Sequence, residues 1–201
     1  MKTPSPPVLI IVNGPPASGK SSIGSELSRE LVLPFFSKDT FKEHLADTLH
    51  VGGIEWSNAL GQACFEILFE IAESLLHAGS SAILEGDFRS EKNTKLLRKV
   101  LDKTDTRVVQ VSCEAEGDLL LDRYLERENK GKRHPIHIDA PRSEEDAFRS
   151  GLLRGFLPPL EITGKMIHVD TSDFETVDVP KIVAEITSYL HDDARRSEEQ
   201  G

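Results

Sequence analysis

Val8-Leu9-Ile10-Ile11-Val12-Asn13 runs without a break into Gly14-Pro15-Pro16-Ala17-Ser18-Gly19-Lys20-Ser21-Ser22, and the architecture of the chain turns on this junction. Residues 14–21 match the pattern G-x-x-x-x-G-K-[ST] in full. The apolar run before it reads as a buried strand. After it Ile23, Leu27 and Leu31 recur every four residues, which predicts a helix that ends at Leu33-Pro34. Strand, glycine-rich turn and helix stand in the order that lets backbone N–H groups curl around phosphate oxygens at the positive end of a helix dipole. In such a loop Lys20 brings a mobile charge to the terminal phosphates and Ser21 offers a hydroxyl to Mg²⁺. Gly14, Pro15, Pro16, Ala17, Ser18, Gly19, Lys20, Ser21 and Ser22 are therefore the candidate nucleotide-binding set, with Ser21 a candidate metal ligand.

Downstream, apolar runs alternate with helical periodicities. Residues 34–37 predict a second strand, and the helix after it carries Thr40-Phe41-Lys42-Glu43 as a capping box. Residues 55–78 place Trp56, Leu60, Ala63, Cys64, Ile67, Leu68, Ile71, Leu75 and Leu76 at three- and four-residue spacing, a long amphipathic helix with a core-facing stripe, closed by Gly79. Residues 82–85, 107–111 and 165–169 read as further strands. Ser90 is placed to cap a helix through Leu101, and 115–129, 143–154 and 178–191 read as helices. Short apolar strands separated by helices imply an α/β, three-layer α/β/α domain around a parallel sheet. It fills residues 1–201, with 1–7 and 192–201 as flexible ends.

The bulk composition narrows the partners. Hydrophobic residues make up 38% of the chain and charged residues 29%, an ordinary globular balance. A net charge of -10 argues against nucleic acid and anionic membrane as partners, so any polyanion must be held by a local basic pocket. The apolar run after the polar arm 1–7 is too short for a leader or a membrane span, and a cytoplasmic location is expected. Cys64 and Cys113, with no C-x-x-C spacing, read as buried free thiols.

Three segments beyond the loop carry chemistry. Ser37-Lys38-Asp39-Thr40-Phe41-Lys42 closes the second strand, and in a parallel sheet ligands gather at the carboxyl ends of the strands. Asp39 there is a candidate base for an attacking hydroxyl, its alternative being a helix cap; Lys42, one turn on, is placed to bind an acceptor's anionic group. Glu85-Gly86-Asp87-Phe88-Arg89 closes the third strand. Glu85, on the rigid strand, is the chosen Mg²⁺ or acceptor carboxylate, with Asp87 an alternative or a cap, and Arg89 joins the candidate substrate-binding set. The basic stretch 123–142 reads as an inserted lid: Arg123 and Arg127, four apart on one helix face, and Arg133 close over the transferred phosphoryl group. The bland alternative pairs Arg123 and Arg127 with Asp122, Glu126 and Glu128. His134, His137 and Asp139 suggest a metal site only weakly, lacking a fourth ligand. A guanine-reading N-K-x-D is absent, since Asn129-Lys130-Gly131-Lys132 lacks the aspartate, and no D-x-x-G switch follows a strand; a small kinase fits best.

On these residues the chain resembles the P-loop kinase group that includes chloramphenicol phosphotransferase, zeta toxins, the 5′-kinase domain of polynucleotide kinase, and gluconate and shikimate kinases. The likeness spans about residues 8–190 and rests on Gly14 to Ser21, on Ser37 to Lys42, on Ile83 to Phe88 and on the arginine-rich lid. It implies an adenylate-kinase-like fold with a five-stranded sheet in the order 2-3-1-4-5, ATP as donor with Mg²⁺, and a small-molecule hydroxyl as acceptor. A nucleoside or nucleotide kinase and a slow ATP-hydrolysing regulatory protein are the alternatives. The acceptor pocket is expected between the helix after Asp39 and the helix 55–78, lined by His44, Trp56 and Asn58.

Overall fold

A computed structural model describes residues 6–89, 91–131, 133–138 and 144–198. The strands are β1 (Val8–Asn13), β2 (Phe35–Ser37), β3 (Ala82–Gly86), β4 (Arg107–Glu114) and β5 (Lys165–Asp170). Between and after them lie helices α1 (Lys20–Leu31), α2 (Lys38–Leu49), α3 (Gly53–His77), α4 (Glu91–Leu101), α5 (Gly117–Asn129), α6 (Asp146–Leu153) and α7 (Val179–Glu198). Short 3₁₀ turns occupy Pro135–His137 and Phe174–Thr176. All strand pairings are parallel, in the order β2-β3-β1-β4-β5.

Side chains of β1 alternate between two cores, as a strand buried on both faces requires. Ile10 and Val12 pack with Ile23 and Leu27 of α1 and Ile182 and Ile186 of α7. Leu9 and Ile11 face the other way, onto Leu68 and Ala72 of α3 and Leu97 and Val100 of α4. Each such buried Leu or Ile contributes roughly 1.5–3 kcal/mol of apolar transfer. In register, Asn13 pairs with Gly86 on one side and Ser112 on the other, and Ser37 with Glu85, so the loop after β1 opens where strand order reverses.

Several elements differ from the sequence reading. α2 starts at Lys38 with Ser37 as its N-cap residue, so Thr40 and Glu43 lie inside the helix and form no capping box. Ser37 Oγ donates instead to the buried Glu85 carboxylate at 2.5 Å, a charged acceptor that draws it away from the helix amides. On α3, Trp56 and Ile67 of the expected core stripe are 45% and 39% exposed, while Ser57, Leu60, Cys64, Leu68 and Ala72 form the buried face. Gly79, at φ 71°, does end α3: Ser80 N–H reaches Leu75 C=O and Gly79 N–H reaches Leu76 C=O. α7 continues to Glu198, through the part of the tail expected to fray. Ser90, Lys132, Asp139 and Arg142 lie outside the described residues. Among the described residues no helix is long and apolar enough to cross a membrane.

Candidate active site

The phosphate loop is clamped from three sides. Asn13, ending β1, accepts from Gly14 N–H and Phe88 N–H at 2.9 Å each and donates to Phe88 C=O, tying the loop to the end of β3. Thr171 Oγ1, just past β5, lies 2.9 Å from the carbonyls of Ser18 and Glu114. Gly14 abuts Cys113: a Cβ there would stand 2.5 Å from the Cys113 carbonyl oxygen. Gly19 has φ 73° and faces the Phe174 ring, which a Cβ would meet at 2.2 Å. Ala17 takes a left-handed φ of 69° without glycine's freedom, a local strain of the kind held at ligand-binding loops. Pro15 and Pro16 have no N–H to offer and shape the turn. The first amides of α1, at Lys20 and Ser21, have no intrahelical acceptor and could donate to a ligand.

Lys20 is buried, with Nζ 3.6 Å from Glu85 Oε1. Glu85 is 1% exposed, and its Oε1 has no hydrogen-bond partner among the described residues. Beside this pair Lys38 carries its ammonium between two acids, bonded to Asp87 Oδ1, 3.4 Å from Asp39 Oδ1 and 5.3 Å from the centre of the Phe65 ring. Arg133 donates to Asp39 Oδ2 at 3.1 Å, and Arg89 Nε lies 3.3 Å from Asp87 Oδ2. Lys42, 3% exposed, donates through Nζ to Ser57 Oγ at 2.7 Å. Burial alone would raise the Asp39 pKa, but Lys38, then Lys20, His137 and Arg133, outweigh it and hold the carboxyl far below the ordinary range. Burial, reinforced by Arg133, drives the His137 pKa down to about 3, so its imidazole is neutral at pH 7, with Nε2 2.7 Å from Glu43 Oε1.

These groups surround a cleft of about 220 Å³ that includes Lys20, Asp39, Tyr124 and Arg133. A wider wing of about 510 Å³ opens from it along α3 and shares Lys38, Lys42, Asp87 and Arg89. Asn58 lines that wing as expected. His44 does not, its ring turned to the Thr40 carbonyl at 2.7 Å, and neither does the exposed Trp56.

The described residues of the basic stretch fall mainly in two elements, α5 and the 3₁₀ turn Pro135–His137. Arg123 and Arg127 belong to α5, which packs on α6 through Leu120, Tyr124 and Leu152. Arg123 donates to the carbonyls of Thr171 and Ser172, at 3.0 and 2.9 Å, and lies 4.7 Å from the centre of the Phe174 ring. Of the three arginines expected over the phosphoryl group, Arg133 is among the described residues lining the cleft; Arg123 and Arg127 are not. His134 and His137 bond to Asp47 and Glu43 of α2, and no cluster among the described residues could hold a metal through three His, Cys, Asp or Glu side chains. Lys38 and Asn13 were not singled out by their sequence positions, and His137 only as part of a weak metal site. A polar residue closing an apolar strand just before Gly14 was a usable signal for Asn13; the burial of Lys38 and His137 had none.

A parallel sheet in this order, with a phosphate loop after its central strand and an acid on the helix after β2, defines a P-loop nucleotide-binding protein of kinase-like fold. The chain belongs to the AAA domain family (AAA_33), whose model matches residues 9–152. It is similar to a candidate kinase from Chloroflexus aurantiacus, with 34% identity, a TM-score of 0.83 and coverage of 92% of this chain and 98% of that one. The fold is shared with a gluconokinase from Sinorhizobium meliloti (14% identity, 99% of both chains, TM-score 0.55). It is shared too with the APS kinase CysC of Mycobacterium tuberculosis, solved with AMPPNP and APS (19%, 94% and 99%, TM-score 0.58). Uncharacterized proteins of Mycobacterium tuberculosis and Mycobacterium bovis match at 26% identity over 126 residues, 59% of this chain, but the chain spans only 25% of their length.

Proposed function

We propose that the protein is an ATP-dependent kinase that transfers the γ-phosphoryl group to a hydroxyl of a small molecule. The observation that carries this reading is the convergence of phosphate-loop Lys20 and the ionised Asp39 in one cleft that widens into a second cavity. The loop amides and Lys20 bind and orient the phosphates. Asp39 accepts a hydrogen bond from the acceptor hydroxyl and aims it at phosphorus. As the new O–P bond forms, the bond from phosphorus to the β-phosphate bridging oxygen breaks, ADP leaves, and the hydroxyl proton passes to Asp39. So acidic a carboxylate is a weak ground-state base, but a loose phosphoryl-transfer transition state releases the proton late and asks mainly for orientation. Arg133 stands beside the developing charge.

The residues present suit a divalent ion: the buried Oε1 of Glu85, without a hydrogen bond among the described residues, lies by Lys20, and Ser21 follows Lys20 in the first turn of α1. Ser21, with Glu85 through water, would hold Mg²⁺, which when bound neutralises charge on the β- and γ-phosphates.

Isotope-labelled ATP incubated with a panel of hydroxylated metabolites tests the reading. Transfer to one of them is expected, and Asp39→Asn should lower it by about 10²–10⁴-fold while AMPPNP still binds. Unchanged turnover in that variant would remove Asp39 from the reaction. A labelled nucleotide would redirect the assignment to a nucleotide kinase, and slow phosphate release alone to a regulatory ATPase.

A further inference from the structure

Ser57, Asn58, Gly61, Gln62 and Phe65 share one face of α3 and line the 510 Å³ wing. Gly61 lies in the interior of a 25-residue helix, where glycine is the least favourable residue short of proline. Gly151 of α6 likewise meets only Arg154 Nη2, at 3.7 Å, but two other helix glycines have a steric reason. A Cβ on Gly24 would meet the Phe35 ring at 2.5 Å, and one on Gly117 the Leu153 carbonyl oxygen at 2.1 Å. A Cβ on Gly61 would meet nothing within 4 Å. Packing therefore does not require the missing methyl, and the space it leaves belongs to the floor of the cavity.

We propose that this face of α3 seats a polyhydroxylated acceptor of carbohydrate type, and that Gly61 sets how closely it approaches the helix. The inference rests on the reading of the cleft as an acceptor site. The lining gives the class. The amides of Asn58, Gln62 and Asn93 each carry donor and acceptor atoms, matching vicinal hydroxyls that are donor and acceptor at once. Phe65 and Leu96 supply apolar area for the C–H face of such a molecule, and Gly61 removes the side chain that would lift it away. Phe65 is fixed by Phe69 and Phe88, with centroids at 6.3 and 5.2 Å, so the surface is preformed. Lys38 and Lys42, common to both cavities, mark where a bound acceptor would present its hydroxyl toward Asp39.

Saturation-transfer NMR with free sugars, sugar acids and cyclitols, on the full chain without nucleotide, tests the site directly. At least one probe should bind the native protein, and Gly61→Ala should weaken it by about tenfold or more, as overpacking by a methyl does. The same variant should unfold at a temperature about 2–4 °C higher, since alanine favours the helix, and should bind AMPPNP unchanged. Absence of any binding probe, binding indifferent to Gly61→Ala, or a lowered unfolding temperature would each overturn the proposal. Phosphoryl transfer assayed in parallel separates the two readings. A probe that binds in a Gly61-dependent way yet receives no phosphoryl group counts against the kinase assignment and leaves the site standing. Transfer to a molecule indifferent to Gly61 does the reverse.

Discussion

Lys38 joins two acids from different elements, Asp39 on α2 and Asp87 beyond β3, through one buried ammonium. Burial opposes its charge, and the two carboxylates more than restore it, so its pKa lies above the ordinary value. The same attraction, acting the other way, keeps Asp39 ionised throughout the working pH range. Lys38→Met removes the largest favourable charge on Asp39 and lets its pKa rise. The variant should therefore show an acid limb in kcat/KM near pH 4–5, about the ordinary carboxyl range, where the native enzyme shows none. It should also lose about 1.5–3 kcal/mol of stability in urea unfolding, because two half-buried carboxylates lose a charged hydrogen-bond partner. Lys38→Arg should recover much of both. If no acid limb appears in Lys38→Met, Asp39 is not the group whose ionisation the reaction needs.

Residues 133–137 act as one element although their only regular structure is a turn of 3₁₀ helix. They lie along a single face of α2: Arg133 on Asp39, His137 on Glu43, His134 on Asp47, with Ile136 buried between Ala46 and Leu60. Ile136→Ala should cost about 2–5 kcal/mol in urea unfolding and, by loosening Arg133, raise KM for the acceptor more than for ATP. His134→Asn, at a partly exposed pair, should cost under about 1 kcal/mol. This element also shows where sequence reading stops. The strands and most helix limits could be read because apolar period and glycine stops are local signals, as at Val8–Asn13 and Gly79. Phosphate-loop placement was local too. The partition of the basic stretch was not: nothing near Arg123 indicates that it will bond to Thr171 and Ser172, 48 and 49 residues away, while Arg133 reaches Asp39 across 94. Ser37 likewise declined to cap α2 because Glu85 arrives beside it from a later strand. Long-range pairs of this kind decide site membership, and only the folded sheet brings them together.

For the molecule as a whole, acid sensitivity follows from the groups that fold in unfavourable protonation states. His137 titrates near its ordinary 6.5 when unfolded and at about 3 when folded, so between those values the unfolded chain holds the extra proton. Stability from this group is full above about pH 6.5 and falls by up to about 1.4 kcal/mol per pH unit as the solution is acidified toward pH 3. Asp39 has the same sign at lower pH: its depressed carboxyl stabilises the fold above the unfolded value of 3.8 and loses that contribution as pH drops further. Glu43 opposes them, since burial and the nearby Asp39 raise its pKa and the folded chain takes up its proton first, but its carboxylate is 39% exposed and the effect is screened. The sum has one direction. Urea-unfolding free energies measured from pH 8 to pH 3.5 should decline below about pH 6.5, and His137→Gln, which keeps an N–H donor for Glu43 but cannot charge, should flatten the upper part of that decline. The comparison is made between slopes, so a uniform loss of stability in the variant does not disturb it. Parallel pH profiles for the two proteins would place the buried proton deficit on some group other than His137.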